Sequence, residues 1–249
     1  MNVGITIAAA LLLIVFVILG QLLKSKKIKG ILLETAIDVA LTNKEGYKLL
    51  GNIYLQKDDG TYTEIDHVLI HKAGLFVIEA KNYSGWIFGD EKNAQWTQTF
   101  ATGRKVKFFN PIKQNNIHIK ALKNHLGEHA NIPIYSLVVF GEKCELKDIV
   151  VSSNNVKVIP LSELDKTIED IVKYNEVEVT PEVREAIYEK LAMTTKEKRM
   201  LSKEHIKSIE GRKDICPFCK CKLIQRTNKK TGKTFYGCSS YPKCKYTAI

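Results

Sequence analysis

The 249-residue chain lacks several features that would place it in special classes. It contains no internal repeat and no low-complexity tract, which excludes a repeat protein or a wholly disordered chain. Cysteine is almost missing from residues 1–211, which hold only one of the six cysteines. With 45% hydrophobic residues, the chain can form a sizeable core and still leave room for short appendages.

Acidic residues are nearly absent from the C-terminal tail. Residues 212–249 contain one acidic residue against ten Lys and Arg, so most of the net charge of +11 lies there. A local basic region of this kind indicates a segment that faces nucleic acid. A solvated tail that only adds solubility is the alternative, and we favour it less because the same segment carries five cysteines.

No positive charge precedes the apolar run at residues 3–23, and four lysines follow it within six positions. About 20 apolar residues suffice to cross a bilayer, and flanking cations mark the cytoplasmic side. A cleaved signal peptide is the alternative, but it normally has a basic stretch before a shorter apolar core. We therefore predict a single-pass anchor over residues 1–24, with the rest of the chain at the cytoplasmic side of the cell membrane.

The body of the chain alternates between helical and strand-like patterns. Helices are predicted at 28–41, after Asn110-Pro111, at 161–174 and at 181–191, and strands at 47–55, 62–71, 75–81, 86–88, 95–100, 105–109, 134–140 and 156–159. This order predicts an α/β fold with a mixed sheet flanked by helices. We expect one domain over residues 25–193, a charged linker over 194–213 and a small ribbon over 214–249.

Asp66, Glu79 and Lys81 lie in two adjacent apolar strands joined by a tight turn. Alternation puts Glu79 and Lys81 on one face, and a hairpin can bring Asp66 beside them. Carboxylate oxygens suit Mg²⁺, and a lysine can steady an attacking hydroxide, which is the pattern of PD-(D/E)xK nucleases. An ordinary ion pair is the alternative, but unpaired carboxylates are costly among buried apolar residues.

The tail contains two closely spaced cysteine pairs, Cys216 with Cys219 and Cys238 with Cys244. Two such pairs, 18 residues apart, predict a tetrahedral structural Zn²⁺ with two strands between the pairs. Cys221 is a fifth candidate, which we leave out because its spacing from Cys219 is unusually short. Cations and aromatic residues interleave here, and we predict that they bind DNA: Arg226, Lys229, Lys230, Lys233, Phe235, Tyr236, Tyr241, Lys243 and Lys245. Some of the aromatic residues could instead form the small core.

Residues 216–246 resemble the zinc finger at the C-terminus of bacterial type I topoisomerases, through CP-x-C and F-Y-G-C-S-x-Y-P-x-C. This resemblance implies binding to DNA, often single-stranded.

Residues 29–123 resemble the nuclease-related domain (NERD), through Glu34, IDHVLI from Ile65, GLFVIEAKNYSGWI from Gly74, Trp96 and NPIKQN from Asn110. The resemblance implies a restriction-endonuclease-like fold and a nuclease. It maps Glu34, Asp66, Glu79 and Lys81 onto the active-site positions, and Gln114 onto a polar position near them.

These patterns predict a membrane-anchored nuclease that cleaves DNA with Mg²⁺ or Mn²⁺. Asp66, Glu79 and the carbonyl of Ala80 would hold the metal, and the zinc ribbon would hold DNA nearby. The alternative is a membrane-tethered DNA-binding protein without catalysis. His125 and His129 match a zinc-peptidase pattern, but Gly127 indicates a helix that ends between them. Pairing of two chains and the type of nucleic acid stay open.

Overall fold

The computed structural model describes residues 26–42, 44–196, 215–216, 221–227, 232, 234–242, 244 and 246–248. The helices are α1 (Lys26–Leu41), α2 (Pro111–Leu126), α3 (Leu164–Lys173) and α4 (Pro181–Lys196), with short 3-10 turns at Gly127–Ala130 and Leu161–Glu163. The strands are β1 (Lys48–Gln56), β2 (Tyr62–His71), β3 (Gly74–Lys81), β4 (Gly85–Asp90), β5 (Gln95–Thr99), β6 (Lys105–Phe109), β7 (Ile134–Phe140), β8 (Cys144–Val150), β9 (Val156–Pro160), β10 (Leu223–Thr227), β11 (Thr234–Cys238) and β12 (Thr247–Ala248).

The main sheet has five strands in the order β1-β2-β3-β7-β9. The pairs β1–β2 and β2–β3 are antiparallel, whereas the pairs β3–β7 and β7–β9 are parallel. The predicted mixed sheet is therefore confirmed. Its central strand, β3, has an antiparallel neighbour on one side and a parallel one on the other.

Helices cover both faces of the main sheet because the strands are apolar on both sides. In β3, Leu75 and Val77 belong to the cluster that contains residues of α2 and α4. Phe76 and Ile78 belong to the cluster that contains residues of α1 and α3. Full burial of such side chains contributes about 1.5–3 kcal/mol each, so β3 ties the two layers together.

A second sheet has the strand order β6-β5-β4-β8. The chain enters it after Lys81 and returns from it to α2. Its core contains Trp96, whose ring stacks on Phe140 of the main sheet with centroids 6.4 Å apart. A Cβ atom on Gly89 would lie only 2.1 Å from the ring of Trp96, so this position accepts only glycine.

The predicted helices and strands of the body all occur, and β8 is the strand that the sequence analysis missed. Its sequence, CELKDIV, is charged and leaves most of its side chains exposed or half-buried. It forms because it pairs in parallel with β4 at the edge of the second sheet, where polar residues can face water. Such pairing depends on distant residues and leaves no local pattern.

Two antiparallel strands, β10 and β11, fill the gap between the cysteine pairs, as predicted. They pair from Leu223 with Cys238 to Thr227 with Thr234, and β12 adds to β11. The register places the end of the hairpin beside Cys238.

Of the helices that the structure describes, none combines the length and hydrophobicity needed to cross a bilayer. The apolar run at residues 3–23, on which the predicted anchor rests, lies outside the described residues. Most of the predicted linker lies outside them as well, because α4 ends at Lys196.

Asn110 fixes the return of the chain from the second sheet into α2. It is fully buried, and its Nδ2 donates to the carbonyls of Asp90, Glu91 and Asn93 over 2.7–3.1 Å. Its Oδ1 accepts from the backbone N–H of Ile112 at 2.9 Å and so caps the helix. One side chain thus joins the β4–β5 turn to the start of α2.

Replacing Asn110 with Ala should lower the free energy of unfolding by about 2–4 kcal/mol, because the helix cap is lost and buried carbonyls lose their donor. Urea unfolding followed by tryptophan fluorescence measures this change. Asn116→Ala, on the exposed side of the same helix, serves as the control and should change stability little. A loss below about 0.5 kcal/mol for Asn110→Ala would contradict the clamp.

Candidate functional site

Asp66 lies where β2 and β3 separate. Their antiparallel register runs from His71 with Gly74 to His67 with Ile78 and ends there. Just beyond it, Oδ2 of Asp66 accepts a hydrogen bond of 2.8 Å from the backbone N–H of Ala80. The structure therefore brings Asp66 beside the end of β3, which the hairpin in the sequence predicted.

The strands are irregular at this point, and the irregularity re-aims the side chains. Asn52 lies opposite Asp66 in the β1–β2 register and has a φ of 53°, the one positive φ among the described non-glycine residues. Ile65 and Val68 both pack into the cluster below α2, although an odd spacing should put them on opposite faces. The alternation of β2 thus changes phase around Asp66, as it does at β-bulges near active sites.

Glu79 is the most buried charge of the site, with 1% of its surface exposed. Its Oε1 accepts from the ammonium of Lys81, two residues along the same face of β3. The Lys81 ammonium also donates to Oε1 of Gln114 on α2 at 3.2 Å. Glu79, Lys81 and Gln114, all predicted as site residues, therefore lie in one hydrogen-bonded group.

His118 completes this group and was missed by the sequence analysis. Its Nε2 lies 2.9 Å from Oε2 of Glu79, and its Nδ1 lies 2.8 Å from Oγ1 of Thr63 on β2. The imidazole is buried, so the chain of hydrogen bonds fixes the second carboxylate oxygen. A signal was present in the sequence, because His118 follows Gln114 by four residues and thus shares its helix face.

The two carboxylates have opposite electrostatic surroundings. Burial and the nearby charge of Glu79 hold the pKa of Asp66 well above its usual range. Burial alone would also raise the pKa of Glu79, but Lys81 and His118 outweigh it and lower that pKa. Burial would lower the pKa of Lys81, but the charges of Glu79 and Asp66 outweigh it and raise that pKa. The site therefore holds an ionised Glu79 and an Asp66 that needs a further cation to ionise readily.

Glu34 of α1, the fourth predicted carboxylate, acts on the site electrostatically. Its charge contributes to the raised pKa values of Asp66 and Tyr54, in each case behind the larger effect of burial. Tyr54 donates a hydrogen bond of 2.5 Å to Oε1 of Glu64, a carboxylate that the sequence analysis did not single out. Glu34, Asp66 and Glu79 are thus three acidic side chains that act on one another electrostatically near the end of β3.

The donor set of the body fits a hard divalent cation better than zinc. Asp66, Glu79 and the carbonyl of Ala80 offer oxygen atoms, which Mg²⁺ prefers and supplements with water. The surplus negative charge around Asp66 is what such a cation would relieve. Within the part of the chain that the structure describes, the acidic side chains do not form a group of three ligand atoms within 4.8 Å of one another, as the tail cysteines do.

The sulfur atoms of Cys216, Cys238 and Cys244 lie within 4.8 Å of one another, and all three residues are buried. The distance between Sγ of Cys216 and Sγ of Cys244 is 3.6 Å. Tetrahedral Zn²⁺ with Zn–S bonds of 2.3 Å gives sulfur separations of about 3.8 Å, so the cluster supports a structural Zn²⁺. The predicted fourth ligand, Cys219, lies outside the described residues.

Cys221 stands beside this cluster without belonging to it. It packs against the cluster, and its carbonyl accepts from the backbone N–H of Cys216 at 2.7 Å. Among the described residues the group of converging sulfurs contains only Cys216, Cys238 and Cys244. This geometry agrees with leaving Cys221 out of the ligand set.

The ribbon carries a concave surface beside the cysteines. Arg226, Phe235, Tyr241 and Tyr246 line it, and the Arg226 guanidinium lies 5.6 Å from the ring centroid of Tyr241. Tyr241 is 60% exposed, and Tyr236 is exposed as well. The other predicted DNA-binding residues, Lys229, Lys230, Lys233, Lys243 and Lys245, lie outside the described residues.

The zinc-peptidase pattern is not assembled. Helix α2 ends at Leu126, and Gly127 forms its C-cap. His129 lies in the following 3-10 turn, so it does not share a regular helix face with His125.

Two family models match the chain. The model described as a nuclease-related domain covers residues 29–141, and the one described as a topoisomerase DNA-binding C4 zinc finger covers residues 213–248. The first match contains every predicted residue of the body site, and the second contains all four predicted zinc ligands.

Individual proteins are also similar to this chain. An uncharacterized protein of Bacillus anthracis is 34% identical over 168 residues, which are 68% of this chain and 76% of that protein. DNA topoisomerase 1 of Pyrococcus horikoshii is 34% identical over 94 residues, which are 34% of this chain and 14% of that protein. A crystal structure of a protein of unknown function aligns with 72% of this chain and 98% of its own, at 15% identity and a TM-score of 0.33.

Replacing Asp66 with Asn should stabilise the metal-free fold above neutral pH. Because folding raises the pKa of Asp66, its stabilising contribution is present at low pH and is lost as the pH rises through the folded pKa. At pH 8 we expect Asp66→Asn to melt about 2–4 °C above the wild-type chain, the shift given by 1 kcal/mol at this size. Calorimetry in zinc-containing buffer without Mg²⁺ measures the difference.

The gap between Asp66→Asn and the wild type should close as the pH falls, because protonated Asp66 then resembles Asn. Added Mg²⁺ should raise the melting temperature of the wild type more than that of the variant. A gap that widens on acidification would show that the sign of the Asp66 shift is wrong.

The cysteine cluster predicts one zinc ion per chain, released by Cys238→Ser but retained in Cys221→Ser. Losing a ligand from a ribbon with so small a core should unfold it, since metal binding supplies its folding energy. Zinc content is measured by atomic absorption, and ribbon folding by the protease resistance of the tail. Tryptophan fluorescence should stay unchanged, because both tryptophans lie in the body. Zinc loss in Cys221→Ser would instead make Cys221 a ligand.

Proposed function

This chain belongs to the family of proteins with a nuclease-related domain, here followed by a topoisomerase-type C4 zinc finger, and from this premise we propose that it is a metal-dependent nuclease. It would hydrolyse phosphodiester bonds of DNA. The observation that carries the proposal is the convergence of Asp66, Glu79 and Lys81 at the end of β3.

The surroundings of that site support catalysis more than a simple ion pair. Glu79 is buried, ionised and held by Lys81 and His118, while Asp66 lies in a strand irregularity and has a raised pKa. Such a pair of carboxylates with divergent pKa values is typical of active sites. A structural ion pair would not need the second carboxylate, which adds repulsion without adding a partner.

The order of elements supports a restriction-endonuclease-like core. The helix α1 precedes the antiparallel strands β1, β2 and β3, and α2 leads to the parallel strand β7. The C-terminal end of β3, the central strand, then carries Glu79, Ala80 and Lys81. We propose this core as the PD-(D/E)xK type.

Asp66, Glu79 and the carbonyl of Ala80 would hold the divalent ion, with Glu34 close enough to support it electrostatically. Mg²⁺ or Mn²⁺, when bound, supplies Lewis-acid activation of water and of the scissile phosphate.

Lys81 would orient the attacking water or stabilise the charge that develops on the phosphate. In the structure its ammonium is bound by Glu79 and Gln114. Gln114 thus keeps Lys81 in place when Glu79 takes up another partner, and His118 holds the far oxygen of Glu79. These contacts keep the reactive groups in position before substrate arrives.

The ribbon would hold DNA near the body. Its exposed tyrosines and Arg226 suit stacking on bases and contact with phosphate. Because the two parts belong to one chain, binding at the ribbon raises the local concentration of DNA at the body.

We also propose that residues 3–23 anchor the protein in the cell membrane with the body and ribbon in the cytoplasm. The basis is the length of the apolar run and the four lysines that follow it. Reduced cysteines, which a zinc site requires, fit this compartment.

The second candidate is a membrane-tethered DNA-binding protein in which the body only docks. The ribbon and the basic tail suit it equally well. The body site speaks for catalysis, because Glu34, Asp66, Glu79 and Lys81 are all present, whereas a decayed site would be expected to have lost at least one of them.

The test incubates the full-length chain, purified in detergent, with labelled single-stranded, duplex and branched DNA and with RNA. Each substrate is tested with Mg²⁺, with Mn²⁺ and without either. Cleavage should require the metal and fall at least about 100-fold in Glu79→Ala and in Lys81→Ala, while DNA binding and the fold persist.

Matched controls are Glu128→Ala and Lys143→Ala, which remove the same kinds of charge from exposed positions. Both should cleave like the wild type. Tight binding without cleavage under any metal would favour the docking protein, and undiminished cleavage by Lys81→Ala would remove that residue from the mechanism.

A further inference from the structure

The second sheet has an outer face that its core does not use. Residues paired across strands share a face, so one row contains the exposed Lys105, Trp86 and Glu145, with the buried Thr99 between Lys105 and Trp86. The next row contains Lys107, Thr97 and Phe88. The opposite face holds the core residues Ile87, Trp96 and Phe108. We use the term outer face for the two rows together with Lys147, which contacts Trp86.

Trp86 is the unusual residue of the outer face. It is 44% exposed in the middle of a strand row, whereas Trp96 on the adjacent strand is 1% exposed. The Nζ atom of Lys147 lies 5.7 Å from the Trp86 ring centroid. At the β5–β6 turn, the Arg104 guanidinium lies 4.5 Å from the Phe100 ring centroid. The second sheet thus has two places where a cation lies against an aromatic ring.

The charges of the outer face are unevenly arranged. The β5–β6 hairpin contributes three exposed cations, Arg104, Lys105 and Lys107. In the two rows the acidic residues are Glu145 and Asp148, which lie on β8 at the opposite side of Trp86, and Glu145 is paired with Lys147. Asp90 follows one row further along β4. The half of the face between Trp86 and β6 is therefore basic.

The second sheet is connected to the candidate active site through its inner face. Strand β4 starts four residues after Lys81, and the segment between them contains Tyr83. The Tyr83 ring meets Phe108 of β6 edge-on, with centroids 4.8 Å apart, and its hydroxyl interacts electrostatically with Lys81. The same tyrosine thus contacts both the site and the second sheet.

We propose that the outer face binds an unpaired segment of the nucleic-acid strand, with a base stacked on Trp86 and phosphates at Lys105 and Lys107. This inference rests on the proposed function and adds that part of the bound substrate is unpaired. An unpaired base exposes its ring face to an aromatic side chain, whereas a duplex hides it. Two strand spacings, roughly 10 Å, separate Trp86 from the lysines, so a base and a neighbouring phosphate reach both.

The chain offers a specific optical probe of this contact, because it has only two tryptophans. Stacking quenches the exposed Trp86 and leaves the buried Trp96 emitting. We would titrate the full-length wild-type chain with an oligothymidylate of about 12 nucleotides, in zinc-containing buffer without Mg²⁺, in which the proposed cleavage does not proceed. Saturable quenching is expected, and Trp86→Phe should remove it. Trp86→Ala should weaken binding by about 5–150-fold.

Charge reversal tests the phosphate contacts. The pair Lys105→Glu and Lys107→Glu should weaken binding and lower the slope of log affinity against log salt by about 1.4, the value for two phosphates of a single strand. The pair Lys157→Glu and Lys166→Glu, on exposed positions of β9 and α3, carries the same charge change and should leave the slope unaltered.

Three results would overturn the inference. They are the absence of Trp86 quenching at saturating oligonucleotide, equal quenching by duplex DNA, and a Trp86 emission change that follows protein concentration without nucleic acid, which would assign the face to a second copy of the chain. DNA bound only at the ribbon leaves Trp86 unquenched and so counts as the first result. If the wild-type chain cleaves DNA but Trp86 is not quenched, the nuclease proposal stands and binding at the outer face is wrong. If Trp86 is quenched but no substrate is cleaved, binding at the outer face stands and the nuclease proposal is wrong.

Discussion

An ionised carboxylate withdrawn from water is the constraint that organises this molecule. Glu79 is almost fully buried, and an unpaired charge there would cost several kcal/mol. Lys81 on the same strand compensates one oxygen, and His118 from α2 compensates the other. The contacts of Glu79 therefore link three elements of the fold. Lys81 belongs to β3, His118 belongs to α2, and His118 in turn contacts Thr63 on β2.

Asp66 shows the opposite arrangement, in which the structure leaves a carboxylate under-compensated. The backbone N–H of Ala80 donates a hydrogen bond to Asp66. Burial and the negative charges of Glu79 and Glu34 outweigh this hydrogen bond and the nearby charge of Lys81, so the pKa of Asp66 stays raised. A fold selected only for stability would not keep two acids in this position. Stability given up at a site of this kind is a usual companion of function, because the missing partner arrives with the reaction.

Sequence reasoning succeeded where structure is local. Asp66, Glu79 and Lys81 belong to one hairpin, so alternation and turn length suffice to bring them together. The convergence of Cys216, Cys238 and Cys244 was predictable because the spacing of the cysteines is itself the signal. His118 and β8 were missed for another reason, since His118 reaches Glu79 only after α2 packs across the sheet, and β8 pairs with β4 from more than 50 residues away. The phase change of β2 around Asp66 and the positive φ of Asn52 depend on strand irregularity, which periodic patterns do not encode.

The connection between Lys81 and Asn110 has a consequence for how specificity can change. After Lys81 the chain leaves the main sheet and forms strands β4, β5 and β6. Asn110 holds the point at which the chain returns into α2. The buried carboxylates draw their support from β2, β3 and α2, none of which is interrupted by this excursion. Under the proposed function, an engineer could therefore vary the turns and outer face of this excursion between two fixed anchor points, keeping the pairing of β4 with β8 and the contact of Trp96 with Phe140, so that the nucleic acid accepted changes and the site does not.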